Sequence, residues 1–99
     1  MTYKIVIDRR AAHDIIRARD YYNEQQKGLG KRFAKEVDKR IKNIAANPAY
    51  QIRYDDVRCF PLSKFPFMIH FSVNDSLRQI EIHAVIHTSL NPDVSWIKR

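Results

Sequence analysis

From Asp8 onward the hydrophobic pattern of this chain changes period once, at Asn47-Pro48, and that switch leaves few folds open. Before it, apolar residues recur every three or four positions; after it, they alternate. Leu29, Phe33, Val37, Ile41 and Ile44 form the clearest stripe. They predict a helix over 29–46 that buries one face. Asn47-Pro48 ends it, because proline drives the residue before it out of the α region. Upstream, Ala11, Ile15, Ala18 and Tyr22 predict another helix over 9–26, with Asp8 as its N-cap. Gly28 is the natural left-handed stop. With only Gly28 and Gly30 as punctuation, the two helices must lie antiparallel as a hairpin.

The remaining runs read as strands. β-Branched Ile5, Val6 and Ile7 predict one over 3–7, and others follow over 50–54, 57–62, 67–73 and 79–87. Asp55-Asp56 and Asn74-Asp75-Ser76 are turns by composition. In the last strand Ile80, Ile82, Ala84 and Ile86 should share one face, and Glu81, His83, Val85 and His87 the other. Strands joined by such short turns must be antiparallel. The expected architecture is α+β in two layers, β-α-α-β-β-β(-β), with the helical hairpin on one face of an antiparallel sheet. Phe33, Val37, Ile41, Ile44, Ile69, Phe71, Ile80 and Ile82 should form its core. The other face should be open, with a shallow binding surface on it.

At 99 residues, the chain reads as a single domain over 1–99. Its one cysteine, Cys59, permits no internal disulfide and reads as a small core residue. Ile5-Val6-Ile7, closed by Asp8-Arg9-Arg10, is too short for a signal peptide, and no window approaches a membrane span. A cytoplasmic protein is expected. Charge is the unusual property: 18 Lys and Arg against 11 Asp and Glu give +7, which favours a polyanionic or acidic partner. Lys31, Arg32, Lys35, Lys39, Arg40 and Lys42 crowd the outer faces of the second helix, against Glu36 and Asp38. A solvated face is the ordinary reading of such a run. The sharper one is a docking surface made by Arg32, Lys35, Lys39 and Lys42, with Trp96 of the tail. No helix-turn-helix or zinc-finger pattern accompanies it, so sequence-specific DNA reading is not expected.

Several short motifs stand in a familiar order: Ala11-x-x-Asp14-Ile15, Tyr21-Tyr22, Gly28-Leu29-Gly30-x-x-Phe33, Asn47-Pro48, Val57-Arg58, Phe65-Pro66-Phe67 and Ala84-Val85-Ile86-His87. In that order the chain resembles the RelE/ParE toxins of bacterial type II toxin–antitoxin modules, also called plasmid-stabilisation proteins. The likeness runs from about Tyr3 to Trp96. It implies a small basic toxin that inhibits growth and is neutralised by an acidic antitoxin in a hetero-oligomer. The RelE-like branch cleaves messenger RNA on the ribosome; the ParE-like branch poisons DNA gyrase and has no accepted catalytic residues. The long hairpin, with Tyr-Tyr before Gly-Leu-Gly, looks closer to ParE.

RNA cleavage without a metal would need a base, an acid and a cation at one phosphate. Arg58, Lys64, Arg78, His83 and His87 are the candidates. The resemblance matches Arg58 to the arginine that opens a late strand in RelE-like nucleases, and His87 to a strand-end histidine of one nuclease subgroup. That subgroup has tyrosine where Thr88 stands here. Where a second arginine is expected, only Lys64 is near. The catalytic set Arg58, His87 and Lys64 is therefore incomplete. The plainer reading pairs Arg58 with Asp55 or Asp56 and bonds His87 to backbone. His83 and His87 lie four apart in a strand, ~13 Å, too far to share a zinc ion. No metal or cofactor is expected. A metal-independent endoribonuclease and a non-toxic antitoxin-binding remnant are the alternatives to the ParE-like reading.

Overall fold

The computed structural model describes residues 3–48, 52–54 and 56–88. It runs β1 (Lys4–Ile7), α1 (Arg9–Gln25), α2 (Leu29–Ala46), β2 (Ile52–Tyr54), β3 (Val57–Pro61), β4 (Phe67–Asn74) and β5 (Gln79–His87). Asp8 caps α1 as expected, its carboxylate accepting the Arg10 backbone N–H at 2.8 Å. Gly28 takes φ +86 between the helices. Gly30 lets them approach: a Cβ there would fall onto the Arg19 carbonyl and the Asn23 side chain. Its backbone N–H donates to Asn23 Oδ1 at 2.8 Å.

The five strands lie in the order β1-β5-β4-β3-β2. β2 through β5 pair antiparallel, but β1 joins β5 in parallel, so the sheet is mixed rather than wholly antiparallel. Two helices stand between β1 and the rest of the chain, long enough for a crossover connection. All eight expected core residues are buried in one cluster with Ala11, Ala18, Leu62 and Val85. Phe33 is at its centre, with Phe65 and Phe67 edge-on at 5.2 Å and Tyr22 at 5.4 Å.

The alternation expected along β5 breaks in the middle. Phe71 pairs with Ile82 but His70 pairs with Ala84, so His83 is an extra residue, a β-bulge. Beyond it the faces exchange. Val85, expected outside, joins the core beneath the helices, whereas Ala84 and Ile86 are buried outside that cluster. The second helix also departs from its expected charge pattern. Glu36, counted among its outward charges, is 8% exposed and bonded to Arg40 and Ser63.

Candidate functional site

A cleft forms where two paired strands differ in length. β1 stops at Ile7 because Asp8 turns the chain into α1, while β5 continues five residues past Ile82, the partner of Ile7. The uncovered strand edge would leave backbone groups unpaired. α1 crosses that edge, and Asp14 Oδ2 accepts the Val85 N–H at 3.1 Å. Between helix and strand lies a cleft of about 590 Å³. Arg9, Arg10, His13 and Arg17 line it from α1. Its far end is Tyr21, Phe67 and His87, with Ala18 and Ile86 between. The Arg10 side chain is held by Asp8 at 3.3 Å, and the Arg10 backbone N–H keeps the Asp8 carboxyl below the usual carboxylate range. Arg9 and Arg17 make no ion pair with any described residue. The lining carries three guanidinium groups and two imidazoles against one carboxylate. Cations and aromatic rings in one concave place suit an anion with an apolar or aromatic part.

The expected site residues are scattered. Arg58 pairs with Phe71 and shares its face, toward the helices. Its Nη1 donates to the Pro48 carbonyl at 2.6 Å, it forms no ion pair with Asp56, the other expected partner Asp55 lies outside the described residues, and its buried Nε has no partner among the described residues. His87 pairs with Phe67 and sits edge-on to that ring at 5.5 Å. Arg58 and His87 are two strands apart and offset by four residues, about 16 Å at the backbone. They are not brought to one phosphate. Lys64 is exposed in the β3–β4 connection, whose Pro66 carbonyl accepts the Thr88 N–H at 2.9 Å, so it lies at the His87 end of the sheet. Arg32, Lys35, Lys39 and Lys42 are all exposed on α2, with Lys42 paired to Asp38 at 3.0 Å. Trp96 lies outside the described residues, as does Tyr50.

The far face of the sheet was the expected place for a binding surface. It carries a cross-strand polar ladder instead. Cys59 Sγ is 3.4 Å from His70 Nδ1, and Ser72 Oγ is 2.7 Å from His83 Nε2. Glu81 lies 3.5 Å from the other nitrogen of His83. The α1 guanidinium groups and the imidazole between them were missed in the sequence, although Arg9, His13 and Arg17 stand at the four-residue spacing that places side chains on one helix face. No described helix is long and apolar enough to cross a membrane.

Over residues 5–92 the sequence matches the family described as the ParE toxin of type II toxin–antitoxin systems, parDE. No curated protein matches it at a significant level. Among solved structures, a chain of the chromosomal ParDE system from P. aeruginosa is similar, with a TM-score of 0.75 and 21% identity over 87% of this chain and 96% of that one. A chain of the intact E. coli RelBE toxin–antitoxin complex gives 0.65 and 17% over 84% and 93%. One from the RelBE2 complex of Mycobacterium tuberculosis gives 0.62 and 12% over 88% and 99%. At these identities the structural likeness concerns the fold.

Proposed function

Because the chain belongs to the ParE toxin family of type II toxin–antitoxin systems, we propose that it arrests growth by poisoning DNA gyrase and is held inactive by a cognate antitoxin. The family match over residues 5–92 carries this reading. The separation of Arg58 from His87 supports it, since metal-free RNA cleavage needs its base, acid and cation around one phosphate. The antitoxin is an acidic segment that folds as it binds. Two features of the surface suit it. β1 is an edge strand with Val6 and Ile7 exposed, open to an added strand. The exposed cations of α2 would meet its carboxylates.

The test is expression without antitoxin, together with purified chain added to gyrase and plasmid DNA. Gyrase poisoning predicts lost supercoiling, cleaved DNA trapped on the enzyme, filamentation and a DNA-damage response. Arrested translation with cut messages and intact DNA would replace this reading with a RelE-like ribosome-dependent endoribonuclease. Normal growth with antitoxin binding retained would make the chain a non-toxic remnant.

A further inference from the structure

The cleft between α1 and β5 is graded along its length. Arg9, His13 and Arg17 stand one helical turn apart, so two guanidinium groups with an imidazole between them cover ~12 Å of the helix axis. Tyr21 lies a further turn along, ~6 Å beyond Arg17. Phe67 and His87 close the same end, their rings 5.5 Å apart. The direction is fixed by the strand: Ile82 carbonyl oxygen meets Asp8 at one end, and the Val85 N–H meets Asp14 further on. One end is thus cationic and the other aromatic, ~18 Å from Arg9 to Tyr21.

We propose that this cleft binds a nucleoside polyphosphate. The phosphates lie along Arg9, His13 and Arg17, and the base lies against Tyr21 and Phe67. Arg9 and Arg17 have no ion pair among the described residues, so binding displaces no carboxylate from them. Guanidinium groups are the side chains best suited to bidentate contact with phosphate oxygens. An exposed aromatic ring gives the base a stacking surface without selecting its identity. A cavity of about 590 Å³ falls within the range that encloses one small-molecule ligand.

The test uses the purified full chain and fluorescent ATP and GTP derivatives at low salt, competed with unlabelled ATP, inorganic triphosphate and a twelve-residue oligothymidylate. The expected result is one saturable site per chain. Binding should weaken about tenfold or more in the Arg9→Ala, Arg17→Ala double variant, the loss of two charge-assisted contacts. Tyr21→Ala should weaken nucleotide binding about fivefold or more, and leave inorganic triphosphate competition unchanged. These three side chains are exposed, so folding is not at stake, and an unchanged melting temperature checks that. Inorganic triphosphate competing as well as ATP would reduce the site to an unselective anion patch and overturn the proposal. So would an oligothymidylate that competes at lower concentration than ATP, which would make the cleft part of a nucleic-acid track. Binding that ignores both variants, or none at millimolar nucleotide, would overturn it equally.

Discussion

Glu36 takes three hydrogen bonds on one oxygen: Arg40 Nε at 2.9 Å, Ser63 N at 3.1 Å and Ser63 Oγ at 2.7 Å. The Ser63 hydroxyl, then Arg40, hold its carboxyl down at about 2 despite burial. The bonds tie α2 to the β3–β4 connection. Removing the carboxylate takes the acceptor from a half-buried guanidinium and a backbone N–H, so Glu36→Ala should cost about 2 kcal/mol. Glu36→Gln keeps an acceptor and should cost less. The pH dependence follows from the sign. A carboxyl with a lowered folded pKa contributes its stability above the unfolded value of about 4.3 and loses it as pH falls toward 2. Denaturant titrations at pH 7 and pH 3 should therefore show the Glu36→Gln difference shrinking at low pH. A difference constant with pH would mean the interaction is not ionic. Arg58 and His87 make a second residue-scale test. If gyrase is the target, the Arg58→Ala, His87→Ala double variant should still arrest growth. Loss of arrest with antitoxin affinity intact would return both residues to a nuclease site.

The helical hairpin depends on Gly30 more than on Gly28. Nothing lies near a Cβ at Gly28, but one at Gly30 would meet backbone of α1. Gly30→Ala must push the helices apart and should cost ~1–3 kcal/mol, read as a fall in the denaturation midpoint. Phe33→Ala, at the centre of the aromatic cluster, should cost ~3–5 kcal/mol. An effect under about 1 kcal/mol at Phe33 would mean that the core is not organised around that ring. The limits of α2 and β5 were legible in the sequence because local residues mark them: Gly28 and Asn47-Pro48 for the helix, Gln79 and His87 at the ends of an alternating run. The parallel pairing of β1 was not legible, since a strand pattern carries no address for a neighbour more than seventy positions away. Nor was the bulge at His83, where Ile80, Ile82, Ala84 and Ile86 keep perfect alternation in sequence. The slip comes from the pairing with β4, not from the run itself. The cleft was hidden for the same reason. It exists because β1 ends at Ile7 and β5 does not end with it, a relation between two elements rather than a motif in either.

At the scale of the molecule, the +7 is concentrated on α2, where six cations face two acids, while α1 has four cations against three acids. Described acids pair a few cations, as in Arg19–Asp20 and Lys42–Asp38, but both pairs are exposed and worth little. Arg32, Lys35 and Lys39 on α2, and Arg9 and Arg17 on α1, are left to shape the long-range field. Such a field speeds encounter with an acidic partner more than it prolongs the complex. Salt screens it, the Debye length falling from ~30 Å at 0.01 M to ~10 Å at 0.1 M. Stopped-flow mixing with the co-encoded antitoxin should therefore show association slowing severalfold across that range while dissociation changes little. Apolar contacts at the edge of β1, around Val6 and Ile7, would then set the lifetime, and Val6→Ser should raise the dissociation rate with little change in association. Charge reversal separates the two helices. Lys35→Glu with Lys39→Glu should slow association more than Arg9→Glu with Arg17→Glu if α2 is the docking face, since both pairs weaken the long-range field equally and only the first also meets the partner. Association indifferent to salt and to both pairs would assign the excess charge to the toxic target, because a field with no effect on the antitoxin must act on something else.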